Sequence, residues 1–475
     1  MSEIKKIAKN TAALFTSAFL SRILSLILMI YIARKLGPVE FGKFAFAHSF
    51  PALFIILADM GLGLLIIREI ARDKNLAPEY LGNTLILKFF LSIITFLSVF
   101  FAVKIIAKPP DVVFAAYMLT LFFILISFST AFWGLYRAFE KMEYVPLMEI
   151  TSRLILLGLT FFFLEKGYKL RTLVSLYLVS AIITFLLSMA IGFKKFTLPK
   201  FKIDFKKWVT LLKKAWPFAA SAIFINILLN VDKVMLSIME NNQIVGWYTT
   251  SSNLFNNSII FASAFLGALY PVMSKFFETS IKDLKNTYRK SFIYMMLLGV
   301  AISIGGVVLA DKIILFLYGS QYFPSILAFR ILFLGVLFAY LGSVCGCLTN
   351  SINKQLLGAK LMFIGVLLNI LLNLSLIPAF SYKGASFATL ISQSFIFVLF
   401  FFNVGKPFHN FAFGKILLKS ILAVLVMALL LSLLKFLNLF ILIVLGAITY
   451  SIGLFILKAI TKEDVILFKE LFRRT

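Results

Sequence analysis

Long apolar runs separated by short loops dominate the chain and restrict it to one class of fold. Hydrophobic residues make up 61% of the 475 positions and charged residues only 14%, whereas soluble domains carry about 25% charged residues. A run of about 20 apolar residues spans a bilayer as a helix, because the helix satisfies its own backbone polar groups. The sequence therefore predicts an all-α polytopic membrane protein.

Fourteen spans can be placed along the sequence. Their approximate bounds are 12–36, 40–67, 81–106, 112–138, 145–165, 172–193, 215–238, 244–273, 290–310, 326–349, 357–378, 383–403, 415–435 and 438–459. A weak internal repeat accompanies them, because a hydrophobic residue and a glycine, followed within two positions by an aromatic residue, open a long span both at Gly42 and at Gly246. Six spans precede the longest loop, so the repeat predicts two halves with the same orientation in the membrane.

Lysine and arginine are concentrated on one side of this topology. The loop over 194–214 alone holds eight lysines, and the chain carries a net charge of +27. By the positive-inside rule, both termini are expected in the cytoplasm. Most of the positive charge then faces anionic lipid headgroups, so a nucleic-acid partner is not required to explain it.

Charged residues inside the spans are candidate functional residues, since charge is costly in a bilayer. The cations outnumber the acids and could line a cavity for an anion; they are Arg22, Arg153, Lys233, Arg330 and Lys88. Plainer alternatives remain open. Arg153 could pair with Glu149 one turn away, Lys88 could snorkel to the headgroups, and Asp232, Lys233 and Arg330 could reach the outer surface.

Asp59 is an acid inside the second span, closely followed by Gly61 and Gly63. A buried carboxylate needs a partner or a proton, and Arg22 or Lys88 could be that partner. The carboxylate could also couple transport to H⁺ or Na⁺. The two glycines predict a hinge, or alternatively a close helix contact beside a structural ion pair.

Spans seven and eight contain a group of amide and hydroxyl side chains that is too polar to face lipid. We call this group the polar wall, and it consists of Asn226, Asn230, Thr249, Asn253, Asn256 and Asn257. Such side chains suit a sugar or a hydrated headgroup. No catalytic or nucleotide-binding motif occurs, and two histidines and two cysteines give no metal cluster. We therefore expect no enzyme and no cofactor.

Several segments resemble the prokaryotic polysaccharide-biosynthesis, O-antigen-type flippases of the multidrug/oligosaccharidyl-lipid/polysaccharide exporter superfamily. They include "LSRILSLILMIYIARKLGPVEFGKFAFAHSF", "DMGLGLLIIREIARD", "FWGLYRAFEKMEYVPLMEITSRLI" and "FLYGSQYFPSILAFRIL". The resemblance implies two six-helix lobes around a central cavity and two extra helices. The corresponding boundaries are an N-terminal lobe over 1–193, a basic linker over 194–214, a second lobe over 215–403, two helices over 404–459 and an amphipathic cytoplasmic tail over 460–475.

The resemblance also implies a function. Such a protein would move a polyprenyl-(pyro)phosphate-linked oligosaccharide from the inner to the outer leaflet of the plasma membrane by alternating access. Glycosyltransferases or a glycan polymerase of the same pathway would be its partners. In the related flippases, cavity arginines meet the pyrophosphate, and Arg22 is the best match here. The alternatives are an ion-coupled multidrug or cation antiporter, a lipid II-type cell-wall precursor flippase, and an enzyme or scaffold of the glycan pathway.

Overall fold

A computed structural model describes residues 3–408 and 413–459, and within these ranges the chain is helical with no strand. Sixteen α-helices follow one another. They are α1 (Glu3–Phe54), α2 (Ile56–Asp59), α3 (Leu62–Arg72), α4 (Ala77–Ile106), α5 (Pro110–Ala138), α6 (Tyr144–Glu165), α7 (Leu170–Lys195), α8 (Phe205–Met239), α9 (Asn242–Ser258), α10 (Ile260–Thr279), α11 (Ile281–Tyr318), α12 (Ser325–Leu334), α13 (Val336–Ser351), α14 (Gln355–Phe400), α15 (Phe413–Leu433) and α16 (Leu439–Ile456). The predicted tail over 460–475 lies outside the described residues.

Twelve helical stretches in the described residues are long and apolar enough to cross a membrane. Two of them, Leu20–Arg72 and Gln355–Phe408, have 53 and 54 residues. At about 1.5 Å per residue, each is long enough to cross a bilayer of about 30 Å twice. Each contains a residue with non-helical backbone angles, Gly37 in the first and Ser381 in the second. These two residues divide the stretches where spans one and two, and spans eleven and twelve, were predicted. The all-helical, multi-pass fold is therefore confirmed.

The chain divides into two compact units. Unit 1 comprises Met1–Thr250 and Asn373–Tyr382, and unit 2 comprises Ser251–Leu372 and Lys383–Thr475. Unit 1 therefore includes α8, which the sequence assigned to the second lobe; the predicted lobe boundaries stay a prediction. In unit 2, the Tyr450 hydroxyl donates to the Leu297 carbonyl at 2.9 Å, which joins α16 to α11.

The two glycines of the internal repeat lie against each other's helices inside unit 1. A Cβ atom added to Gly42 would overlap the Asn242 carbonyl group, and one added to Gly246 would overlap the Pro38 carbonyl group. Glycine at both positions allows the backbones of α1 and α9 to approach more closely than any side chain would permit. The two glycines of the predicted repeat therefore lie where α1 and α9 cross.

Candidate functional site

Asp59 and Lys88 form an ion pair inside unit 1. The Lys88 ammonium donates to Asp59 Oδ1, to the Ser127 carbonyl at 2.7 Å and to Ser127 Oγ at 2.9 Å. The Lys88 side chain is fully buried, whereas that of Asp59 is 32% exposed. Of the two partners predicted for Asp59, Arg22 and Lys88, the structure therefore has Lys88. The other idea for Lys88, that it snorkels to the headgroups, is wrong because its ammonium is enclosed between α2, α4 and α5.

A break in the helix brings the Asp59 carboxylate to this position. Helix α2 ends at Asp59, and Met60 and Gly61 adopt left-handed backbone angles, with φ of 48° and 82°. Helix α3 then starts at Leu62. Irregular backbone at membrane depth persists only where protein or water satisfies its polar groups. Here the Met60 N–H donates to the Ile56 carbonyl at 2.8 Å. The predicted hinge at Gly61 thus coincides with a real discontinuity, although bending there stays a prediction.

Beside the ion pair lies a cavity of about 450 Å³ within unit 1. Its polar lining comes from Asp59, Ser127, Thr130, Arg137 and Glu149. The rest of the lining is apolar and aromatic, supplied by Ile55, Ile56, Leu64, Ile67, Phe123, Ile126 and Trp133 with two glycines. An apolar pocket with a few convergent charged groups is the usual form of a small-molecule or lipid site.

Positive charge gathers around one acid of this cavity. Glu149 lies within electrostatic range of Arg137, Arg153 and Arg22, which come from three different helices. Lys233 is buried and, together with Arg153, acts electrostatically on His48. We call Arg22, Arg137, Arg153 and Lys233 the basic cluster. Three of its four members were predicted from the sequence, and all four belong to unit 1.

The remaining predicted charges are placed differently. Asp232 is buried, where it accepts hydrogen bonds from the Tyr248 hydroxyl at 2.6 Å and from Asn373 Nδ2 at 2.7 Å. The idea that Asp232 reaches the outer headgroups is therefore wrong. Arg330 is partly buried and belongs to unit 2. Its predicted role in binding phosphate stays a prediction.

The polar wall is distributed over both units. Asn226, Asn230 and Thr249 belong to unit 1, whereas Asn253, Asn256 and Asn257 belong to unit 2. Asn226 Nδ2 donates to the Ala52 carbonyl of α1, and Asn230 Nδ2 donates to Asn226 Oδ1 at 2.8 Å. The Asn226 amide thus joins α8 to α1, and the Asn230 amide supports it from within α8. Sugar binding by the polar wall stays a prediction.

Sequence reasoning missed several residues of the site. Arg137 lies in the last turn of α5, and Ser127 and Thr130 accept hydrogen bonds from the Lys88 ammonium; none of the three was predicted as a site residue. His48 is enclosed by aromatic rings, including that of Phe123 at 5.1 Å. These four residues could be identified only by knowing which helix faces contact one another.

Outside the spans, the Lys108 ammonium donates to the Ser237 carbonyl, and burial lowers the pKa of Lys108.

Comparison with known proteins adds four findings. A family model described as "Polysaccharide biosynthesis protein" matches residues 7–277, more than half of the chain. The probable low-salt glycan biosynthesis flippase Agl15 of Haloferax volcanii is 23% identical over 388 residues, covering 81% of each chain.

Among solved structures, the inward closed conformation of the lipid II flippase MurJ matches with a TM-score of 0.77 at 17% identity, covering 97% of this chain and 99% of that one. An inward-facing multidrug resistance MATE transporter of the MOP superfamily matches with a TM-score of 0.70 at 15% identity, covering 82% of this chain and 94% of that one. At these identities the likeness establishes a shared fold.

Proposed function

The chain belongs to the polysaccharide biosynthesis protein family, and we propose that it is a flippase for a lipid-linked glycan. Its substrate would be an oligosaccharide on a polyprenyl phosphate or pyrophosphate, carried from the inner to the outer leaflet by alternating access. The observation that supports this most is the basic cluster of unit 1, set beside a largely apolar cavity in a multi-pass membrane protein.

The chemistry of the basic cluster suits a phosphate headgroup. Three guanidinium groups act electrostatically on the Glu149 carboxylate, so positive charge exceeds negative charge in this part of unit 1. Guanidinium binds phosphate oxygens through two parallel N–H donors and is less strongly hydrated than ammonium, which favours it at partly buried sites. The apolar lining of the neighbouring cavity suits the first isoprene units of a lipid.

The names of related proteins support the same proposal. Agl15 is described as a probable glycan biosynthesis flippase, and MurJ as a lipid II flippase. Transfer between leaflets by the chain itself needs no catalytic group, in agreement with a transporter that is not an enzyme. We place both termini in the cytoplasm on the basis of the lysine and arginine distribution, and the protein in the plasma membrane of a prokaryote on the basis of its resemblance to prokaryotic flippases.

A membrane potential would assist this transport. An inside-negative potential of about 100 mV favours the outward movement of one negative charge by about 2.3 kcal/mol. Coupling to H⁺ or Na⁺ is a further part of the proposal, with Asp59 as the coupling carboxylate. Asp59 lines the cavity while Lys88 holds its Oδ1 atom. Loss of that contact on protonation or cation binding would link ion binding to the broken helix at Met60–Gly61.

An ion-coupled antiporter for drug cations is the second candidate. Two observations favour it: the fold is shared with a multidrug MATE transporter, and two carboxylates line the cavity of unit 1. The surplus of arginine over acid around Glu149 argues against a cationic substrate and for an anionic one.

A leaflet assay tests the proposal. Proteoliposomes would contain a fluorescent polyprenyl-pyrophosphate oligosaccharide, and a membrane-impermeant quencher would report the fraction in the outer leaflet. We expect wild type to redistribute the lipid, and Arg137→Gln to slow the initial rate by about tenfold or more, because a charge-assisted hydrogen bond contributes about 1.5–3 kcal/mol. The control is Arg72→Gln, an exposed arginine outside the basic cluster.

Two outcomes would count against the flippase. One is a lipid that keeps its original leaflet with wild-type protein under every ion gradient. The other is uptake of a drug cation by the same vesicles, driven by a proton or sodium gradient and abolished by Asp59→Asn. The second result would favour the antiporter.

A further inference from the structure

The segment between α7 and the membrane-spanning part of α8 has two faces with different properties. Residues 197–204 have no regular secondary structure, and α8 begins at Phe205. Among the described residues of α8, the stretch Ala222–Met239 is long and apolar enough to cross a membrane. Residues 196–214 follow the end of α7 at Lys195 and come before this apolar stretch in the sequence.

One face of this segment is fixed to unit 1. The Lys200 N–H donates to the Pro78 carbonyl at 2.8 Å, and Trp208 Nε1 donates to Asn83 Oδ1 at 3.1 Å. Trp208, Leu211 and Ala215 recur at helical spacing and pack into the buried core formed with α3, α4 and α5. The segment thus has a defined position and orientation.

A second face of the segment exposes large apolar side chains. Leu198, Phe201, Ile203 and Phe205 are between 62% and 71% exposed. On α8, the exposed stripe continues through Val209 and Trp216, each 52% exposed. Residues 205, 209 and 216 lie within about 40° of one another at 100° per residue, so they share one side of the helix.

Lysines are interleaved with these apolar residues. Lys200, Lys202, Lys206 and Lys213 are exposed, and the range 194–214 contains eight lysines against one acid, Asp204. We call the exposed side chains of residues 198–216 the basic-aromatic face. A soluble surface would not keep six large apolar side chains in water without a partner.

We propose that the basic-aromatic face binds the anionic leaflet of the membrane beside it. Tryptophan and phenylalanine at headgroup level with lysines around them are typical of segments that lie in the interface. Charge complementarity selects anionic over zwitterionic lipid. The face also continues directly into two membrane spans, α7 and α8, so a leaflet is already adjacent to it. An acidic protein partner is the alternative outcome of the test.

This inference is independent of the transported substrate and has a consequence for unit 1. The segment that carries the basic-aromatic face also bonds to Pro78 and Asn83 at the start of α4, the helix of Lys88, through the Lys200 backbone and the Trp208 side chain. Anionic lipid bound to the face would therefore stabilise the same end of unit 1 that contains the cavity.

Depth-dependent quenching in nanodiscs tests the proposal with the full-length protein. A fluorophore is attached at Phe201→Cys; the two native cysteines are buried. Brominated phosphatidylglycerol or brominated phosphatidylcholine is then added at the same small mole fraction. We expect both to quench, with the anionic lipid several-fold more effective. Lys200→Gln, Lys202→Gln and Lys206→Gln combined should remove most of that preference, since each lysine favours anionic lipid by about fivefold.

A probe at Tyr168→Cys is the matched control. Tyr168 is an exposed aromatic between Lys166 and Lys169, but it lies in the short turn between α6 and α7. It should show a weaker anionic preference than position 201. Equal quenching of position 201 by the two lipids, or an unchanged preference in the triple variant, would overturn the proposal. If neither lipid quenched the probe at position 201, the proposal would be overturned, and an acidic protein would become the expected partner of the basic-aromatic face.

Discussion

Asp59→Ala is expected to lower the free energy of unfolding by about 3–5 kcal/mol, among the largest effects of any single substitution in this chain. The change removes the carboxylate next to a fully buried Lys88 ammonium. Ser127 and Thr130 still accept hydrogen bonds, but neither provides a counter-charge. The measurement is denaturant unfolding of the purified protein in one detergent or lipid.

Two controls separate the ion pair from its surroundings. The double variant Asp59→Leu/Lys88→Met removes both charges and should recover most of the lost stability, because the cost comes from the unpaired charge. Glu165→Ala breaks the exposed pair with Lys35, whose atoms lie 2.7 Å apart, and should leave unfolding unchanged. A single Asp59→Ala variant as stable as wild type would contradict a buried, charged Lys88.

The same double variant tests whether the pair also serves transport. If Asp59 only stabilises unit 1, the refolded double variant should flip lipid at the wild-type rate. Under the coupling proposal, it folds but loses the response to an imposed proton or sodium gradient. Stability and transport are measured on one preparation, so a folding defect cannot be mistaken for a coupling defect.

Gly61→Ala is expected to destabilise the protein by about 2–5 kcal/mol. Its φ of +82° costs an L-residue about 1–2 kcal/mol. The added Cβ would also lie 2.6 Å from the Ala215 carbonyl oxygen, so α3 and α8 would have to separate, and overpacking of this kind costs about 1–3 kcal/mol. Thermal or denaturant unfolding measures the combined effect.

Gly63→Ala, two residues away, is the matched control. Its Cβ would lie 3.6 Å from Asp59 Oδ1 and 3.7 Å from Thr130 Oγ1, which are ordinary contacts. Because Gly63 lies within α3, alanine should be neutral or stabilising by up to about 1 kcal/mol. If both variants were equally stable, the break at Met60–Gly61 would not be the constraint that positions Asp59.

Much of the fold follows from the sequence, because apolar run length and lysine distribution are properties of the chain alone. The spans and the partnership of Asp59 with a cation of a neighbouring helix were predictable on that basis. The contacts of charged side chains inside unit 1 were less predictable. Arg137 was not predicted as a site residue, and snorkelling was one of the alternatives left open for Lys88, since hydropathy gives the depth of a residue but not the direction in which it points.

Polar side chains that act inside the protein were also hard to assign. Asp232 looked like a surface charge because it lies near the end of a span, yet Tyr248 and Asn373 enclose it. Asn373 is separated from Asp232 by 141 positions, and no local pattern connects them. Long-range contacts of this type determine which polar residues face a cavity and which join helices.

The central claim is that the basic cluster recognises the phosphate of a lipid-linked glycan. The most direct measurement compares flipping rates for one oligosaccharide on polyprenyl pyrophosphate and on uncharged polyprenol. Wild-type protein should move the pyrophosphate form at least about tenfold faster, and Arg22→Gln/Arg137→Gln should bring the two rates close together. Equal rates for both lipids with wild-type protein, or a preference that survives in the double variant, would contradict the account.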